Sequence, residues 1–350
     1  MRWFLFLLAL AAGGLHAQSS VAPADPKLAL FEPALGTWHG KGLLHVVPGA
    51  TGTPWEATFT MCRILDGHFV QEDVQVRFPG SRKQPLTART VYAAHKHAPG
   101  FLWFHMDNTG LVAGGRAFWT EGQRLVRSVT WTRGGRLVTD LRELTFAGKE
   151  ARVRVQRLGP QGAFFDHVVG SLVRGGETCE AASADVNHLG PPPGPEMKAL
   201  DHLLGAWSFE GFYTPLVGLR PCEVSGRAYT SAILGGHALW TVRENITLSG
   251  LDHPHEAQVY TAWDPAWSCY QRLILRNDGT ATLQRGYELT NGKLIFTATG
   301  VSEGLPYASR TILEGRGDEI RLSTDVSAAD AENVVVLDLR LKRLQEELER

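Results

Sequence analysis

The stretch ALGTWHGKG, Ala34 to Gly42, returns as LLGAWSFEG, Leu203 to Gly211, with Trp38 and Trp207 placed 169 residues apart. ILDGHFV (Ile64 to Val70) and ILGGHAL (Ile233 to Leu239) keep that offset, so Gly67 matches Gly236 and His68 matches His237. Farther on, VYAAHKHAPGFLWFHMDNTG aligns with VYTAWDPAWSCYQRLILRNDG. Tyr92 answers Tyr260 at 168, while Asn108 and Gly110 answer Asn277 and Gly279 at 169, which reads as one residue gained in between. Four landmarks in one order at nearly one spacing mean a tandem duplication of a whole domain, since a period this long belongs to domains and not to a solenoid.

Within each copy the apolar signal has period two. Phe101, Trp103 and His105 fall on one face and Leu102, Phe104 and Met106 on the other, and Val129 and Trp131 alternate in the same way. About ten such runs per copy are punctuated by turn sequences such as PGATGTP, FPGSRKQP, NDG and TNGK. Many short strands with almost no helical pattern predict an antiparallel meander closed into a barrel, which also removes the exposed edges of an open sheet. DPKLALFEPALG and GPEMKALDHLLG, each just before its Trp, predict a short helix plugging the barrel that follows. The expected fold is therefore all-β, two tandem antiparallel barrels of about ten strands each.

Length and composition bound the rest. MRWFLFLLALAAGGLHA has the charged start, short apolar run and small-residue cleavage site of a signal peptide, so residues 1–17 are set aside. An exported protein, periplasmic or extracellular, is expected. No Cys follows the cleavage site to carry a lipid, and no later run is long enough for an integral membrane helix. The domains read as 27–175 and 197–344, joined by a Gly/Pro/Ser-rich linker at 176–196 and followed by a charged, helical tail at 345–350. With 35 Lys and Arg against 36 Asp and Glu and no long run of either sign, the chain has no face suited to nucleic acid. Four cysteines in an exported chain allow three pairings. Bridges within each copy, Cys62 to Cys179 and Cys222 to Cys269, are the preferred reading, and buried free thiols are the alternative.

The order Leu-x-Gly-x-Trp, then Ile-Leu-(Asp/Gly)-Gly-His some thirty residues later, resembles a bacterial domain family of unknown function with a lipocalin-like (calycin) barrel. The resemblance covers nearly the whole mature chain as two copies. It implies that Gly36 and Trp38, and Gly205 and Trp207, close one end of each barrel, with an Arg from the last strand over each ring: Arg174 in copy 1 and Arg340 in copy 2. His68 and His237 stand where the family pattern implies Arg. They are a shared site or an inheritance from one ancestral domain. Distantly similar nitrobindin-type barrels bind haem through a His near the start of the last strand, which implies His167, seven residues before Arg174. The same count from Arg340 reaches Asn333, so copy 2 lacks the ligand.

A barrel of this size can hold one small ligand, and a hydrophobic or amphipathic molecule is the expected partner. Trp103, His105, Phe118 and Trp131 in copy 1, and Trp240, Tyr260 and Tyr287 in copy 2, are the candidates to line the cavity, with Phe101, Val129 and Leu273 in the same rows. The alternatives are an enzyme with its site in one barrel mouth and an interaction protein whose barrels are filled by side chains. No HExxH or GxxxxGK[ST] is present, and the Gly-x-Gly of WHGKG leads into a strand, so no catalytic residues are assigned. No cofactor is required apart from the haem reading. His95 with His97, and His253 with His255 beside Asp252 and Glu256, are short chelating pairs without an identifiable third ligand, so no metal site is assigned.

Overall fold

The computed structural model describes residues 23–81, 84–95, 99–133, 136–176, 191–214, 220–248, 255–302, 305–328 and 334–345. The expected signal peptide, most of the linker, most of the C-terminal tail, Cys179, Asn333, His97, Asp252 and His253 lie outside them. Copy 1 is built from β1 (Gly36–Leu44), β2 (Thr53–Ile64), β3 (Phe69–Arg77), β4 (Leu86–Ala94) and β5 (Phe101–Asp107). It continues through β6 (Val112–Thr120), β7 (Arg124–Arg133), β8 (Arg136–Ala147), β9 (Glu150–Leu158) and β10 (Phe164–Gly176). Copy 2 repeats this as β11 (Gly205–Tyr213), β12 (Cys222–Ile233), β13 (Ala238–Leu248), β14 (His255–Asp264) and β15 (Cys269–Arg276). It is completed by β16 (Ala281–Glu288), β17 (Leu294–Ser302), β18 (Leu305–Glu314), β19 (Glu319–Ala328) and β20 (Val334–Arg343). Each copy is a closed barrel of ten antiparallel strands in which the last strand pairs with the first. No helix among the described residues is long and apolar enough to cross a membrane.

The plug helices form as expected. Pro26–Ala34 is capped by Asp25 and turns Leu28, Phe31 and Ala34 into the first barrel, where they pack with Trp38, Tyr92, Phe101 and Trp103. Its counterpart is shorter, a helical turn at Pro195–Lys198 followed by a second at Asp201–Leu203. Each Trp is fully buried and donates its Nε1–H to the carbonyl of the plug: Trp38 to Ala34 at 2.9 Å, Trp207 to Leu203 at 3.0 Å.

The strand pairing corrects two expectations. Arg174 lies over Trp38 at 4.8 Å, but Trp207 is covered by Arg343, at 4.3 Å, and not by Arg340. Arg340 faces outward and pairs with Glu319. The offset is 169 throughout: Phe69 pairs with Ala93 as Ala238 pairs with Ala262, and Ala151 with Leu172 as Ile320 with Leu341. No residue is gained, and the counterpart of Tyr92 is Thr261. Because side chains alternate, the one-residue difference puts Tyr92 inside its barrel and Tyr260 outside.

Cys62 is disulfide-bonded, and its expected partner Cys179 lies outside the described residues. Cys222 and Cys269 are both free, against expectation. They stand three strands apart, on β12 and β15, and at opposite ends of the barrel wall, far beyond the reach of a disulfide.

The barrels meet around a pseudo-two-fold axis. Phe69, Val91, Phe104 and Met106 from copy 1 pack with Ala238, Tyr260, Leu273 and Leu275 from copy 2. Arg89, held by a two-pronged ion pair to Asp73 at 2.7 and 3.1 Å, lies 5.8 Å from the Trp240 ring. In ILDGH and ILGGH the Leu, the Asp or Gly and the following Gly all adopt positive φ, a reversal so tight that the His backbone N–H bonds the Leu carbonyl. That turn delivers His68 against Gly279 and His237 against Gly110, where an added Cβ would stand 3.0 and 3.1 Å from the imidazole. The two shared histidines are thus reciprocal contacts of the interface.

Arg343 combines the ring contact with hydrogen bonds to the carbonyls of Leu204 at 2.6 Å and His202 at 2.9 Å. Arg343→Met is expected to lower unfolding stability by about 1–3 kcal/mol and Arg340→Met by less than about 0.5 kcal/mol in urea titrations.

Candidate functional site: the cavity of the first barrel

The first barrel is hollow and the second is filled. A cavity of about 1130 Å³ opens into copy 1, at the upper end of ordinary ligand sites, against about 50 Å³ in copy 2. Its apolar wall includes Trp55, Phe59, Val74, Trp131, Leu144 and Val155. In copy 2 the counterparts of Gly40 and Val74 are Phe209 and Arg243, which place bulk in the interior.

The polar floor of the cavity is contributed by β3, β4, β5, β7 and β8. Glu72 accepts two hydrogen bonds from Arg127, at 3.0 and 3.1 Å, and one from the Tyr92 hydroxyl at 2.5 Å. Burial pushes the Tyr92 pKa far up, so its proton stays on and donates. Arg127 also lies 5.8 Å from the Trp103 ring and contacts the Tyr92 hydroxyl. Nearer the mouth, Asp140 accepts from Arg157 at 2.8 and 2.9 Å and from Trp131 Nε1 at 3.3 Å. Asp107 turns one oxygen to the backbone N–H groups of Thr109 and Leu111 and to the Thr109 hydroxyl, and burial raises its pKa.

Arg142 is left over. It stands directly across from Arg127 in the β7–β8 register and lines the cavity. Its Nε is buried without a hydrogen-bond partner, and no carboxylate among the described residues pairs with it. Burial and then the neighbouring Arg127 charge pull its pKa down from the usual arginine value, partly offset by Asp140, Glu72 and Asp107. A guanidinium retains its proton under such shifts, so a cation without an ion-pair partner faces the chamber beside carboxylates that are already engaged. His105 joins this floor, with Nδ1 2.8 Å from the Thr90 hydroxyl. Burial first, then the Arg142 and Arg127 charges, hold its pKa well below 6.5 and keep it neutral.

Of the other cavity candidates, Trp103 and Trp131 are on the inner face. Phe118 and Tyr287 point outward and are exposed, and Trp240 and Tyr260 belong to the interface between barrels. Phe101 and Val129 pack inside, whereas Leu273 lies at the interface. Sequence reasoning missed Glu72, Arg127 and Arg142. Arg127 and Arg142 stand on the face opposite Ser128 and Leu141, and alternation alone placed them on one side of their strands without saying which side was inside.

His167 lines the cavity because β10 carries a bulge there: Asp166 and Val168 pair with consecutive residues of β9 and leave His167 between them. Its Nδ1 lies 2.6 Å from the His45 carbonyl, which can only accept, so Nδ1 carries the proton. The equivalent bulge in β20 leaves out Val336, which corrects the expected counterpart Asn333. Among the described residues no group of three metal-ligating side chains converges.

The sequence matches no family model and no curated protein. Among solved structures, the Mycobacterium tuberculosis protein Rv2717c is 18% identical over 44% of this chain and 99% of its own, with a TM-score of 0.35. A Nostoc punctiforme protein of unknown function from the DUF3598 family is 12% identical over 91% of this chain and all of its own, with a TM-score of 0.29. What the structure shows of the fold is two closed ten-strand antiparallel barrels in tandem.

Because the native state resists protonating His105 while the unfolded chain accepts the proton, its contribution to stability is lost as pH falls below about 6.5. His105→Gln should remove about 1.4 kcal/mol per pH unit of that dependence below pH 6.5, read from urea midpoints of variant and wild type at pH 5 to 7.5.

Proposed function

We propose that the protein binds a small amphipathic molecule with an anionic head inside its first barrel. The observation that carries this reading is the unpaired Arg142 guanidinium at the floor of a large apolar chamber. Leaving a charge there uncompensated costs the folded state several kcal/mol, and an anionic head group with an apolar body offsets that cost at both ends. Glu72, Asp107 and Asp140 are already engaged by other donors, which leaves Arg142 open to an anion from outside the chain. The second barrel supports the first through the interface. An exported carrier suits the apolar run at the N-terminus.

The test is isothermal titration with dodecanoate and with dodecanol as the uncharged comparison. Wild type should bind dodecanoate at one per chain and prefer it over dodecanol. Arg142→Met should weaken dodecanoate at least tenfold, about 1.4 kcal/mol, and leave dodecanol within about threefold. Native mass spectrometry of protein purified from its own source should show a co-purifying small acid. Absence of binding to both ligands by folded protein would reject the chamber as a site.

A second reading rests on the bulge that aims His167 at the same cavity with its tautomer assigned by His45. Hemin titration should then give a Soret band that His167→Ala abolishes. No band with folded wild type ends that reading.

A further inference from the structure

We infer that the second barrel holds a small inorganic oxyanion, of the phosphate or sulfate class, between Arg243 and Arg272. The two side chains come from β13 and β15 and line the same cavity of about 50 Å³, together with the hydroxyl-bearing Thr230, Thr241 and Thr261. None of the residues lining that cavity carries a carboxylate. Among the described residues neither guanidinium is in an ion pair, and one terminal nitrogen of Arg272 is buried without any acceptor. Arg272 lies over a ring face, its guanidinium carbon 4.9 Å from the centre of Phe296.

The comparison between copies shows how this arose. At the uniform offset, Trp103 corresponds to Arg272 and Arg127 to Phe296, so the cation and the aromatic of one interior contact have exchanged places. Glu72, which neutralises Arg127 in copy 1, corresponds to Thr241. Val74 corresponds to Arg243. The exchange removed the only interior carboxylate of that contact and added a second cation.

Two buried arginines so placed oppose each other. Burial and the Arg243 charge push the Arg272 pKa down to about 9, and burial and Arg276 push that of Arg243 to about 10, so both remain charged at neutral pH. A space of this size accommodates about three to five waters, or one tetrahedral oxyanion, and excludes a molecule with an alkyl chain. Planar guanidinium forks and hydroxyl donors are the groups that bind such anions. This site is independent of the first barrel, so it stands or falls separately from the reading above.

The experiment is calorimetric and thermal titration of the full chain, dialysed at pH 7 into a zwitterionic buffer free of small inorganic anions, with sodium phosphate and then sodium sulfate. Wild type should bind one of them saturably at one per chain, with a rise in Tm that plateaus. The plateau distinguishes site binding from the unsaturable stabilisation that these salts give any protein. Arg272→Met and Arg243→Met should each weaken binding at least tenfold, while Arg276→Met, at the exposed end of β15, should stay within about threefold. In anion-free buffer Arg272→Met should melt at or above wild type, since a methionine removes an unpaired charge. If the Met variants do not fold, the wild-type titration and Arg272→Lys, which keeps the charge and loses the fork, decide the matter. No saturable binding of either anion by folded wild type, or binding unaltered in the folded Arg272 and Arg243 variants, would overturn the assignment.

Discussion

Each barrel depends on one latch. A Trp at the start of the first strand is roofed by an Arg at the end of the last, and both reach back to carbonyls of the plug helix. Arg174 donates to Pro33 and Arg343 to Leu204 and His202, so the same side chain that closes the sheet also fixes the cover on its end. The Gly two residues before each Trp has φ of 105° or 107°, backbone that turns the chain from the plug into the strand and that other residues rarely adopt. Closing the sheet leaves no unpaired edge and makes an interior whose size then depends on side chains alone.

The second constraint is the pseudo-two-fold contact. Each barrel presents the same outer face, and each inserts a His, carried on a tight left-handed turn, against the hairpin glycine of the other. Reciprocity of this kind is the mark of an isologous interface, here made within one chain. It accounts for two histidines at equal positions without a reaction shared between the copies. The face is not identical in detail. The Arg89 and Asp73 pair has Gln258 and Val242 as counterparts, so a charged contact occurs once, over Trp240.

Inside, the copies have diverged in opposite senses. Copy 1 keeps an open chamber and stores its charges as neutralised pairs, with one cation over. Copy 2 fills the space with apolar bulk and leaves two cations around a small remnant. Net charge hides this difference, because the surface ion pairs of both copies outnumber the few interior groups that matter.

By itself the sequence determined the duplication, the all-β class, the ten-strand count and the plugged end. These rest on period-two alternation, turn residues and the Gly-x-Trp repeat, all local or strictly periodic signals. Only the tertiary structure decided which side of each strand is inside and which outside face meets the other barrel. Tyr92 and Tyr260 look alike in VYAA and VYTA yet point to opposite sides, because parity and not residue type sets the face. Arg343 rather than Arg340 covers Trp207 for the same reason: closure pairs Arg343 with Trp207 across β11 and β20, and three residues earlier the side chain faces solvent. Glu72, Arg127 and Arg142 come from three strands up to 70 positions apart, and the bulge at His167 is a property of pairing. Whether a buried Arg has a partner depends on what closure brings opposite it, and that is settled across the barrel, not along the chain.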